Sequence, residues 1–230
     1  MKVCVITCTG GRPELFALCR RWVQRQSVQP NAWIVTNDVD NTVPQLPGYA
    51  THIRIQKSGD GCAAAANALH VAIQSIPKDH DVVVMEDDDW YGYLYIEEMV
   101  EHLQDHPIVQ LANQPQCNVP ASRWKTSPMG DASSRDIVPA IIGFRGDQSA
   151  TVLAALRDQA WPRTPHLVNS SQFVAIKGAG FGLPGRRGAT QKHDTNYKKT
   201  LRWKADPGHR RFRDYLGDDA ESYIRLLEHS

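Results

Sequence analysis

Residues 82–91, VVVMEDDDWY, set four β-forming side chains directly before four consecutive carboxylates, Glu86 to Asp89, and then two aromatics. A strand that carries carboxylates to its carboxyl end can hold a hard divalent cation. Mg2+ and Mn2+ prefer oxygen ligands, and Mg2+ usually binds through one or two carboxylates plus substrate phosphates. The plainer reading of such a run is an acidic turn in water. Here it follows a strand that reads as buried, where four like charges repel unless a cation or protons neutralise some of them. The run therefore points to a metal–phosphate site.

These carboxylates need elements to position them. KVCVITC (2–8) reads as a buried strand closed by Thr9, Gly10 and Gly11. RPELFALCRRWVQRQ (12–26) reads as a helix, with Pro13 in its first turn and Leu15, Leu18, Cys19, Trp22 and Val23 at helical spacing. NAWIVTND (31–38) and HIRIQ (52–56) read as strands, GCAAAANALHVAIQSI (61–76) as a helix stopped by Pro77, and DVVVM (81–85) as the fourth strand. YLYIEEMVEHLQDH (93–106) reads as a helix and PIVQLAN (107–113) as a further strand. This alternation predicts a mostly parallel sheet with helices on both faces. In such sheets ligands bind beyond the carboxyl ends of the strands. Those ends carry Thr7, Thr9 and Arg12, the Asn37–Asp38 pair and Glu86–Asp89, so three polar clusters fall on one edge.

The second half has weaker signals. Residues 114–135 read as loop, 136–145 as a strand bent at Pro139, 151–159 as a short helix and 172–180 as a strand. Residues 180–194 are Gly-rich, and 218–229 read as a closing helix with acidic residues in its first turn. No repeat or linker stands out, so the whole chain, 1–230, is expected to form one domain.

The net charge of +1 gives no global attraction to nucleic acid or membrane. Residues 186–213, however, hold ten Lys/Arg against Asp194 and Asp206, a local +8 that leaves −7 elsewhere. This stretch reads as a lid over a bound diphosphate, as a solvated surface, or, with Tyr197, Trp203 and Phe212 interleaved, as a polyanion-binding surface for DNA or RNA. Five cysteines form no CxxC pair, which suits a reducing compartment, and there is no secretory or membrane-spanning pattern. A soluble cytoplasmic protein is expected.

Three segments together resemble the nucleotide-sugar-binding half of GT-A glycosyltransferases, most of all the family 2 type: VITCTGGRPELFALCRRWVQRQSVQP, SGDGCAAAANALHVAI and VVVMEDDDWY. They span about residues 3–105. The chain departs from the pattern at Glu86, where an Asp is usual, and at Ala66, where an Arg often precedes the Asn (here Asn67). The resemblance implies a single Rossmann-like GT-A domain, with residues 1–113 binding a nucleotide sugar, a UDP-sugar first, and 114–230 binding an acceptor beside a basic loop at 180–213. It implies Mn2+ or Mg2+ on Asp88 and Asp89, with His193 a further metal ligand. Thr7, Thr9, Arg12, Asp38, Asp60, Asn67, Glu86 and Asp87 fall on the donor side, Asp87 at the variable position and more structural than ligating. An inverting transfer needs a base for the acceptor hydroxyl. The resemblance puts that base at Asp219 or Asp218, although carboxylates in a first helical turn are favoured by the helix dipole in any protein. Two other readings stay open. One is a nucleotidyltransferase, against which TGGRPELF lacks the longer Gly-rich loop. The other is a nucleic-acid-binding module whose acidic run is incidental.

Overall fold

The computed structural model describes residues 1–10, 12–37, 45–56, 61–112, 114–120, 122–127, 141–158, 161, 165–177 and 204–228, with backbone alone at 61–65, 127, 177, 227 and 228. The expected alternation is present in the first half: β1 (Lys2–Thr9), α1 (Pro13–Gln24), β2 (Ala32–Asn37), β3 (Ala50–Arg54), α2 (Gly61–Gln74), β4 (His80–Val84), β5 (Trp90–Tyr91), α3 (Tyr95–Asp105) and β6 (Ile108–Ala112). The second half adds β7 (Gln114–Asn118), β8 (Arg123–Ser127), β9 (Ile142–Phe144), α4 (Ser149–Asp158), β10 (His166–Asn169), β11 (Phe173–Lys177), β12 (Lys204–Ala205), α5 (Arg210–Leu216) and α6 (Ala220–Glu228).

Seven strands form the main sheet in the order β10-β6-β9-β4-β1-β2-β3. Pairings are parallel except at β9, which lies antiparallel between β4 and β6. The strands are apolar on both faces because both are covered. One face packs Cys4, Ile6, Ile34, Val82 and Val84 against α2 and α4 through Leu69, Ile73, Val152 and Leu156. The other packs Val3, Val5, Val35 and Val83 with α1, α3, α5 and α6 through Leu15, Trp22, Met99, Phe212 and Tyr223. This is the mostly parallel sheet with helices on both faces that the sequence pattern implied.

A second sheet, β12-β8-β7-β11-β5, is built almost wholly from the second half. Residues 114–135 read as loop, but through Ser127 they hold β7 and β8. Partners, more than propensity, make β7 a strand: it pairs with β8 on one side and β11 on the other. β11 joins only from Gln116 onward, so the N–H that Pro115 lacks is not needed on that side. The last part of the basic stretch, 204–213, also departs from a plain loop, since it contains β12 and the start of α5. The expected helix at 218–229 begins later. Asp218 and Asp219 lie in a short 3-10 turn, Gly217–Asp219, ahead of α6. Gly217 ends α5 at φ 57°, a backbone conformation that L side chains seldom adopt. Among the described residues no helix is long and apolar enough to cross a membrane.

Candidate functional site

The acidic run links the two sheets. β4 ends at Val84, Met85 still donates to the Ile6 carbonyl at 2.9 Å, and β5 starts at Trp90 in the second sheet. β1 lies beside β4 in parallel register, so its carboxyl end reaches the same corner. There Thr9 donates its hydroxyl to Asp87 Oδ2 at 2.7 Å. Arg12, one residue before α1, donates Nε to the same oxygen at 3.3 Å, Nη2 to Asp87 Oδ1, and Nη1 to Asp88 Oδ2 at 2.7 Å. The cation that the run demanded on electrostatic grounds is thus in part Arg12.

The energetics follow from burial. The Asp87 side chain is fully buried while Arg12 and Asp88 keep 26% and 22% of theirs exposed. Burial pushes the Asp87 carboxyl up to about 6, against the pull of Arg12 and the hydrogen bonds from Thr9 and Arg12. Burial also opposes the charge on Arg12, but Asp88, Asp87 and Glu86 outweigh it and hold the guanidinium firmly charged. Asp87 is therefore the buried anchor of Arg12, in keeping with a structural role. Glu86, Asp88 and Asp89 each offer an oxygen within 4.8 Å of the others, the one such group of potential metal ligands among the described residues.

Asp89 ties the turn to its surroundings. Its Oδ1 accepts the Ile176 N–H of β11 at 2.8 Å, and its carbonyl accepts the Tyr223 hydroxyl of α6 at 2.9 Å. Tyr223 in turn accepts the Trp22 indole N–H at 2.9 Å, which brings in α1. Glu86 donates its backbone N–H to the Tyr91 hydroxyl at 2.7 Å. Asp219, 130 residues further along the chain, reaches this corner as well. Its Oδ2 accepts the Trp90 indole N–H at 2.9 Å and pairs with Arg25 Nη1 at 2.5 Å. Arg25 lies over the Trp22 ring at 4.1 Å and donates to the Tyr91 carbonyl at 3.1 Å, so the carboxylate is held by a cation that is itself fixed.

The structure thus gathers Thr9, Arg12, Glu86, Asp87, Asp88, Asp89 and Asp219 around one turn. Thr7 is elsewhere: it is fully buried, accepts the Trp33 indole N–H at 3.0 Å and lies 3.8 Å from Cys19 Sγ. Asn67 lines a shallow cleft of about 260 Å³ between α2 and α4 with Ala66, His70, Leu156 and Arg157. Asp218 is exposed. Asp38, Asp60, His193 and residues 186–203 lie outside the described residues. Sequence reasoning did not single out Arg25, Trp22 or Tyr223. Arg25 and Trp22 read only as part of an amphipathic helix, and Tyr223 as part of another.

No family model and no curated protein matches the chain. Its fold is shared with solved structures of TarS from S. aureus. TarS 1-349 in complex with UDP-GlcNAc aligns with a TM-score of 0.54 and 11% identity, over 78% of this chain and 60% of that one. A structure titled simply TarS 1-349 gives 0.50 and 10% over 76% and 60%, and one titled TarS gives 0.50 and 11% over 76% and 37%. The chain thus spans about 60% of the length of the first of these. At such identity the likeness is one of fold.

Proposed function

We propose that the chain is a glycosyltransferase that takes its sugar from a nucleotide-sugar donor, a UDP-sugar first. One observation carries the reading. The carboxyl ends of β1 and β4 bring Thr9, Arg12 and the 86–89 carboxylates to one corner, and Asp219 is bonded to the residue that follows them. Ligands of parallel α/β sheets bind at such ends, and a structure of this fold was solved with UDP-GlcNAc bound.

The donor set fits a hard divalent ion, Mn2+ or Mg2+, because it is all carboxylate and closely spaced. Asp88 is the first ligand in this reading, with Asp89 and Glu86 beside it. Such an ion would stabilise charge on a departing diphosphate. Arg12 competes for Asp88 as the chain stands, so the guanidinium is well placed to turn toward a diphosphate once Asp88 is otherwise engaged. Asp219 is the base that receives the acceptor hydroxyl's proton. Arg25 and Trp90 both grip its Oδ2 and so fix its direction. Transfer by direct attack on the anomeric carbon inverts configuration.

A second reading concerns the acceptor. Around Trp124 the described end of the basic stretch places Lys204 Nζ at 5.0 Å and the Arg211 guanidinium at 5.1 Å from the ring. A cationic edge with an aromatic suits an anionic acceptor, nucleic acid included, and salt-sensitive binding lost in Lys204→Ala/Arg211→Ala would support it.

The donor reading is tested by thermal melting with UDP, GDP, TDP and CDP, each with and without Mn2+ or Mg2+. The expected result is a rise in Tm for one nucleotide with the ion present, abolished by Asp88→Asn. If no nucleotide with any divalent ion moves the melt, the proposal is wrong.

A further inference from the structure

Away from the acidic corner, three histidines meet where α3 ends against the edge strand β10. His102 lies in the last turn of α3, and His106 is the residue that caps it, where the backbone becomes extended; the His106 N–H donates to the His102 carbonyl at 3.0 Å, so the two stand four apart at the helix end. His166 opens β10, which borders the seven-stranded sheet next to β6. The His106 and His166 rings stack with centroids 3.5 Å apart and planes 6° from parallel, and His102 lies 5.4 Å from His166. One turn further back on α3, Glu98 accepts the Ser170 hydroxyl just after β10. Glu98 and His102 of α3, with His106 just past its end, therefore run along β10. All three histidines are half-buried.

We propose that His102, His106 and His166 form a binding site for an imidazole-preferring transition-metal ion, Zn2+ in the first instance, which pins α3 to β10. Two histidines four apart at a helix end with a third on a neighbouring strand are a ligand set that such ions take, completed by water. The rings now stack, and their nitrogens have not converged: among the described residues only Glu86, Asp88 and Asp89 already have ligand atoms within 4.8 Å of one another. Capture needs one ring to turn about its side-chain bonds. The ligands are nitrogen here and oxygen at the acidic corner, so the two sites select different metals.

The test is calorimetric titration of Zn2+ into the full chain carrying Asp88→Asn, which removes the first expected oxygen ligand of the other site. One Zn2+ per chain is expected, with affinity lowered at least tenfold by His102→Gln and by His166→Gln. Affinity unchanged within twofold in His166→Gln overturns the proposal. Melting curves in EDTA report whether each variant folds. Independently of any variant at these histidines, nitrogen-detected NMR of the imidazoles should show the rings of His102, His106 and His166 shifting on Zn2+ addition while those of His52 and His70 stay. No shift at the three rings overturns it equally. Neither result depends on nucleotide binding, so this site and the donor site stand or fall separately.

Discussion

Replacing Arg12 by Gln removes the cation that, among the described residues, touches both Asp87 and Asp88, and the cost can be worked from the geometry. Asp87 is fully buried with its carboxyl near 6 instead of the usual 3.8. At 1.36 kcal/mol per pH unit, keeping it charged at pH 7 already costs about 3 kcal/mol. Without Arg12 the carboxyl takes up a proton, and that escape caps the cost at about 4 kcal/mol at pH 7. The electrostatic loss is thus about 1 kcal/mol, to which the lost hydrogen bonds of a partly exposed guanidinium add roughly 1–2 kcal/mol. At pH 5 the same reasoning removes the electrostatic part, since wild type and variant are then both capped at about 1.5 kcal/mol. Urea unfolding should therefore show Arg12→Gln less stable by about 2–3 kcal/mol at pH 7 and by about 1–2 kcal/mol at pH 5, the first being a midpoint shift on the order of 1 M. A loss as large at pH 5 as at pH 7, or a loss below about 0.5 kcal/mol at pH 7, refutes Arg12 as the neutralising partner of Asp87.

The Asp87 carboxyl itself should titrate near pH 6 by carbon-detected NMR. Its folded value lies above the unfolded one, so the stability it contributes is present below 3.8 and is lost as pH rises through 6; a midpoint under 4 contradicts this. Tyr223→Phe leaves the Trp22 N–H and the Asp89 carbonyl without their hydroxyl, and calorimetry should record a loss of about 1–3 kcal/mol; an unchanged Tm argues that the turn is not held from α6. Asp219→Asn should bind UDP with wild-type affinity yet transfer no sugar, and retained transfer removes Asp219 as the base.

Much of the acidic corner was legible because strands and acidic run speak locally. Apolar runs such as VCVI and VVV are fully buried strands in the sheet, and the carboxylates sit at a strand's end as their spacing implied. The partners of those carboxylates were less legible. Arg12 reads equally well as a diphosphate ligand and as a solvated helix start, and only the register of β1 beside β4 shows it clasping Asp87. Arg25 and Tyr223 act across 194 and 134 residues of sequence, on Asp219 and Asp89, and no local pattern encodes such a pairing. Thr7 shows the reverse case. It lies two residues before Thr9 on one strand and shares its face, yet Trp33 covers it and turns its hydroxyl into a core hydrogen bond. Of the second sheet, β11 was legible, but β7 and β8 were not: QPQCN has no strand-forming residue and RWKTS only two, so each depends on the other, and β7 also on β11.

The most direct measurement is anomalous diffraction at the manganese edge from crystals grown with Mn2+ and a UDP-sugar. The expected result is a peak within ligand distance of an Asp88 oxygen and of the diphosphate, with Arg12 turned from Asp88 toward the phosphates. A nucleotide bound elsewhere, or a corner in which Arg12 still holds Asp88 and no manganese is present, would contradict the proposed function.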